Sequence, residues 1–188
     1  IGNYTTGALT PFSNASPILA GGTLQLNADP LAYNGSASFL NAATGANANS
    51  FILRPGGQII INDQFGSVVG GEGRWDDATG IDLNGGTFRF NSASSMQSVE
   101  TIGDLTVSKG GQITLARTNA GSTTLRVGAL TNTANGTLQL NPSGANTLGI
   151  PASNPTLFER LITTSAITLT GTTTNGLGVV NGGLAPVW

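Results

Sequence analysis

The densest group of chemically capable side chains is Glu72-Gly-Arg74-Trp75-Asp76-Asp77, set between Gly70-Gly71 and Gly80. Carboxylates beside a guanidinium and an indole suit a sugar, because acids and Arg hydrogen-bond hydroxyls and a Trp face covers ring C–H groups. Arg74, Trp75, Asp76 and Asp77 are therefore the candidate ligand contacts. The same residues also describe a solvated loop with Trp75 laid over the body of the fold, a reading favoured by the lack of a second acidic cluster. Gly70-Gly-Glu-Gly-Arg-Trp-Asp76 comes close to the Gly-Gly-x-Gly-x-Asp repeat that binds Ca²⁺, but Trp75 occupies the Asp position and no tandem copy follows. No metal site is expected there. Asp29, Asp63 and Asp104 are isolated acids at turns, where Asp commonly bonds its own backbone.

Absences narrow the chemistry further. Among 188 residues there is no His and no Cys. This removes His-based triads, Cys nucleophiles, thiolate zinc sites and disulfides. Charged residues make up 9%, and the net charge is -2. Lys109 is the only lysine and basic residues do not cluster along the chain, so a phosphate-tracking nucleic-acid surface is not expected. No apolar run is long enough to span a bilayer as a helix. Because it begins at Ile1 rather than Met, the chain reads as a processed or excerpted one. Four Asn-x-Ser/Thr sequons, at Asn3, Asn14, Asn34 and Asn135, match the number chance supplies among 18 Asn, 15 Ser and 25 Thr.

The elements that must position any site emerge from self-comparison. Gly21-Gly22-Thr-Leu-Gln-Leu-Asn27, Gly56-Gly57-Gln-Ile-Ile-Ile-Asn62, Gly85-Gly86-Thr-Phe-Arg-Phe-Asn91, Gly110-Gly111-Gln-Ile-Thr-Leu-Ala116 and Asn135-Gly136-Thr-Leu-Gln-Leu-Asn141 are five copies of one pattern. Successive starts close up toward a period of about 25 residues, with insertions in the early copies. Each copy alternates apolar and polar positions, the signature of a half-buried strand. Leu24, Leu26, Ile59, Ile61, Phe88, Phe90, Ile113, Leu115, Leu138 and Leu140 should face inward.

A second strand precedes most Gly pairs: 51–53, 81–83, 105–107 and 129–131. The alternation breaks between Leu83 and Phe88, so the Gly pair marks a corner where positive φ is needed. A third apolar element follows at Phe39-Leu40, at Val99 to Ile102 and at Leu125-Arg-Val127. Two or three short strands joined by corners, with no helical period between them, predict an all-β parallel solenoid (β-helix). The expected hand is right, as for parallel crossovers generally. The whole chain reads as one domain, with clear repeats over 16–141 and less regular sequence over 142–188. About seven turns at ~4.8 Å each are expected.

Stacked turns would align Thr23, Gln58, Thr87, Gln112 and Thr137 in one column and Asn27, Asn62, Asn91, Ala116 and Asn141 in another. Like amides so aligned can form a hydrogen-bonded ladder. Asn is also simply a good residue after a strand. Beyond the repeats, Asn154-Pro155 opens a stretch that fits a short helix over 155–162, while Leu161-Ile-Thr-Thr164 fits a strand equally well. Strands are also expected at 167–169 and 177–180.

The Gly-Gly-Thr-Leu-Gln-Leu-Asn units, with their Asn-, Thr- and Gly-rich spacers, resemble the autotransporter-associated β-strand repeats of long bacterial surface proteins. The resemblance implies a secreted, surface-displayed passenger acting as a stalk or adhesive scaffold. It implies no cofactor. Taken together, the expectation is a non-catalytic extracellular structural or adhesive protein of the bacterial cell surface. Its partners would be copies of itself stacked head to tail, the rest of a longer chain, or cell-surface and matrix glycans. The alternative is a carbohydrate-binding or carbohydrate-degrading β-helix protein centred on 72–77.

Overall fold

A computed structural model of the chain describes residues 18–27, 50–63, 75, 77, 79–94, 97–118, 121–133, 136–142, 158–164, 179–180 and 183–184. These residues form strands and connections, with no helix among them. The strands are β1 (Ile18–Leu19), β2 (Gly22–Asn27), β3 (Phe51–Leu53), β4 (Gly57–Asn62), β5 (Ile81–Ser94), β6 (Gln97–Thr101) and β7 (Leu105–Thr118). They are followed by β8 (Ser122–Val127), β9 (Leu130–Asn132), β10 (Leu138–Pro142), β11 (Glu159–Thr163), β12 (Val179–Val180) and β13 (Gly183–Leu184). The fold is all-β, and its pairing is parallel except in the small β12–β13 ladder.

Pairing follows the repeats. β1, β3, the opening of β5, the opening of β7, and β9 form one row of neighbours. β2, β4, the later part of β5, the later part of β7, and β10 form a second. β6, β8 and β11 form a third, which is a separate three-stranded sheet. The first two rows belong to one eight-stranded sheet because β5 and β7 each run through the bend as a single 14-residue strand.

The period-two pattern decides which way each row faces. In β4 buried and half-buried residues alternate along the strand. Leu24 pairs with Ile59, Ile59 with Phe88, Phe88 with Ile113, and Ile113 with Leu140. Ile59, Ile61, Phe88, Phe90 and Ile113 are 0% exposed. Burying each such side chain contributes about 1.5–3 kcal/mol, and a one-residue slip in register would turn the whole column to water. Leu53, Ile81, Leu83, Leu105 and Val107 of the first row join the same apolar cluster, as do Leu125 and Val127 of the third.

The corners divide their work between two glycines. Gly56, Gly85 and Gly110 have φ of 81°, 98° and 94°, a region costly for residues with a Cβ. In the first copy it is the second glycine, Gly22, that takes positive φ. The second glycine elsewhere supplies space instead: a Cβ on Gly86 would lie 2.6 Å from Leu53 Cβ and 2.9 Å from Gly57 O. A Cβ on Gly111 would meet Leu83 Cβ and Gly86 O in the same way.

Two expectations differ from the structure. The stretch read as a helix over 155–162 contains a strand, because Glu159–Thr163 pairs residue for residue with Thr123–Val127 of β8. Ile162, Thr163 and Thr164 are β-branched and suit a pleated surface better than a helical turn. The fifth repeat is also displaced by two positions. Leu138 pairs with Gly111 and Leu140 with Ile113, so Asn141 lies beside Thr114 rather than Ala116. The corner before β10 is longer, closed by Asn132 Nδ2 donating to Gly136 O at 2.7 Å and Oδ1 accepting from Gly136 N at 3.0 Å. An even shift keeps the alternation intact, so Leu138 stays buried.

The third apolar element expected at Val99 to Ile102 falls on β6, with Ile102 just beyond it buried in the core. Val99 and Thr101 lie half-buried on the outer side of β6, while Ser98 and Glu100 take the buried positions. Phe39-Leu40, 167–169, 177–178, the sequon at Asn135 and the three earlier sequons lie outside the described residues.

The two corner roles are separable by substitution. Gly56→Ala, whose Cβ would have only Gly21 Cα within reach at 3.8 Å, should lose about 1–2 kcal/mol, and Gly56→Asn should lose less. Gly86→Ala should lose about 3 kcal/mol, with no relief from Asn, because the obstruction is steric. Urea unfolding followed by far-UV circular dichroism checks both.

Candidate functional site

Trp75, the aromatic one of the four candidate contacts, faces inward. It is 1% exposed. Its indole Nε1–H donates to Thr79 O at 2.8 Å, and its backbone N–H donates to Glu100 Oε1 at 2.9 Å. The ring meets Phe51 edge-on, with centroids 5.0 Å apart and planes at 68°. An indole so enclosed fills the core and closes its own polar requirement; it offers no open face to a sugar. Asp77 is exposed. Glu72, Arg74 and Asp76 lie outside the described residues.

The carboxylate that holds Trp75 has no local signal in the sequence. Glu100 is 1% exposed and Glu159 is 0% exposed, both on the inward side of the three-stranded sheet. Glu159 Oε1 accepts the backbone N–H of Arg117 at 3.0 Å. A buried carboxylate without hydrogen bonds costs several kcal/mol, so both must be tied to donors. Each binds the main chain of a segment outside its own sheet, at position 75 and at the end of β7. Ser98 and Thr123 are also buried on this inward side, giving it a more polar lining than the other two rows. Among the described residues no group of three or more acidic side chains could hold a metal ion.

Other acids act across repeats. Asp104 Oδ1 accepts the N–H of Ala129 at 2.8 Å, so it bonds the backbone of the following repeat rather than its own turn. Asp82 accepts Ser108 Oγ, also one repeat on. Asp63 is buried, and its backbone N–H donates to Asn91 O at 2.8 Å. Asp29 lies outside the described residues.

The repeat residues fall into rows as their spacing suggests. Gly22 pairs with Gly57, Asn27 with Asn62, and Asn62 with Asn91. Asn91 Nδ2 donates to Asn62 Oδ1, and Arg89 Nε donates to Asn91 Oδ1 at 2.6 Å. The Asn62–Asn91 rung of the amide ladder is therefore formed, and an arginine extends it sideways. Thr23 Oγ1 and Gln58 Oε1 are 3.5 Å apart in the neighbouring column. Ala116 interrupts the Asn column and the displaced fifth repeat removes Asn141 from it. Gly21, Gly56, Gly85, Gly110 and Gly136 lie at corners, with Gly136 packed against Gly110 N and Val107 Cγ1.

The bond from Trp75 to Glu100 gives a direct test. With Trp188→Phe as background, so that Trp75 is the sole indole, Glu100→Ala should shift its emission to the red and raise acrylamide quenching. Stability should fall by about 1–3 kcal/mol, with Glu100→Gln losing less because its amide oxygen still accepts the N–H. Emission unchanged in Glu100→Ala would show that the carboxylate does not hold this segment.

Comparison with known proteins found no matching family model, no matching curated protein and no matching solved structure.

Proposed function

We propose that this chain is a stretch of a right-handed parallel β-solenoid that serves as a non-catalytic scaffold outside the bacterial cell. In this reading it extends, displays or assembles at the surface. One observation carries it: strands one repeat apart pair in parallel in three separate rows, so each repeat adds a layer to those before it. Backbone hydrogen bonds then lie along the direction of growth, and load along that direction is shared by all three rows.

The chemistry of the described residues supports a scaffold. Glu100, Glu159 and Asp104 are each engaged with backbone N–H groups, where they join segments together. The resemblance of the heptapeptide to autotransporter-associated repeats supports surface display. Open edges of parallel strands seek further strands, which supports growth by more chain or by stacked copies. The carbohydrate-processing alternative depended on Trp75 as a platform, and the enclosed ring leaves that alternative without its main contact.

Small-angle scattering and negative-stain electron microscopy of the purified chain test the reading. A rod whose cross-section is constant along its length is expected, with longer end-to-end particles appearing as concentration rises. A compact, near-spherical particle at every concentration would overturn it.

A further inference from the structure

Charge is sorted across the three-stranded sheet. Its acids, Glu100 and Glu159, occupy inward positions, while its bases, Arg126 and Arg160, occupy outward ones. The outward positions of β6, β8 and β11 are Gln97, Val99, Thr101, Ser122, Thr124, Arg126, Arg160 and Ile162, with no acid among them. Of these, Gln97, Arg126 and Ile162 are exposed, Val99, Thr101 and Arg160 half-buried, and Ser122 and Thr124 buried, so among the described residues the open part of the face around Arg126, Arg160 and Ile162 is cationic.

The two arginines are set for recognition rather than scattered. Arg160 Nε donates to Thr124 Oγ1 at 3.0 Å, and its guanidinium lies 4.6 Å from the centroid of the Phe158 ring. Those contacts fix the plane of the fork and leave the two terminal Nη groups as its outward donors. Arg126 is exposed and pairs across the strands with Ile162, which is 37% exposed. Arg160 sits two residues before Ile162 on the same strand, so the arginine Cα atoms are about 8 Å apart. Two cations therefore flank an apolar side chain, with Thr101 paired beside Arg126 on β6 as a neutral hydroxyl neighbour.

We propose that this face binds an acidic glycan, with Arg126 and Arg160 holding its anionic groups and Ile162 covering the C–H side of a sugar ring. Paired forks suit carboxylate or sulfate groups. A neutral hydroxyl beside the cations suits a polymer that is itself rich in hydroxyls. Two cations are too few for the multiple phosphate contacts on which nucleic-acid binding depends. The inference rests on the reading of this chain as a surface scaffold, since such a surface is where glycans are met.

Affinity electrophoresis and calorimetry can test it with polygalacturonate, which carries only carboxylates, and heparin, which adds sulfates. Dextran serves as the neutral glycan, with polyglutamate and oligo-dT as acidic polymers that are not glycans. Polygalacturonate or heparin should bind, identifying carboxylate or sulfate as the preferred group, and binding should weaken between about 50 and 300 mM salt. Arg126→Gln, which alters an exposed side chain, should weaken binding about tenfold with an unchanged far-UV spectrum. Arg54→Gln, at an exposed arginine before a corner, should have no effect. No binding to either acidic glycan, equal binding of dextran, tighter binding of polyglutamate or oligo-dT, or an Arg126→Gln chain that binds as well as the parent would overturn it. A rod that fails to bind glycans defeats this inference alone, whereas glycan binding by a compact particle defeats the scaffold reading alone.

Discussion

In the first four repeats each inward side chain of the strand after the Gly pair rests on its counterpart one repeat away, and the rest of the structure depends on that alignment. Parallel pairing puts equivalent residues within about 5 Å of each other, so Ile59 must fit both Leu24 and Phe88, and Phe88 must fit both Ile59 and Ile113. Aliphatic and aromatic residues can alternate in such a column because each sits on a neighbour of similar breadth. Backbone pairing and side-chain packing then reinforce one register, which is what makes a short repeated pattern specify a structure.

Corners have to preserve this alignment while the intervening chain varies. Gly57 follows its partner Gly22 by 35 positions, whereas Gln112 follows Thr87 by 25, yet both pairs lie in the same row. Extra residues can be carried between strands because lengthening a loop costs little once its ends are held. What cannot vary is the bend itself. One glycine turns the backbone and the next lets adjacent layers approach, so the pair is retained where spacers are not. When the pair becomes Asn135-Gly136, the corner lengthens and the register moves by two, with the apolar face preserved.

The third row is built differently. Its inner side carries Ser98, Glu100, Thr123 and Glu159, and the two glutamates anchor main-chain N–H groups of other segments. A buried acid is an expensive way to fill space unless it organises its surroundings. Here each one fastens a connection to the stacked strands. With the acids turned inward, the outer side keeps Arg126 and Arg160, and the surface acquires a chemical character that the overall charge conceals.

Much of the strand pattern was legible in the chain alone, because alternation and a repeated Gly pair are local properties: 51–53, 57–62, 81–83, 86–91, 105–107 and 111–116 could be read as strands from periodicity. The inward positions of Ile59, Phe88 and Ile113 followed from the same period of two. Three matters were decided only by tertiary structure. The strand at Glu159–Thr163 prevails over the helix that the local sequence equally allowed because β8, 36 positions away, offers it an edge. The fifth repeat slips because Asn132 closes a longer corner around Gly136. Glu100 goes inward, where it accepts the backbone N–H of Trp75, and Val99 goes outward, reversing what hydrophobicity alone would choose. Local sequence sets the alternation, and long-range pairing sets which phase of it faces the core.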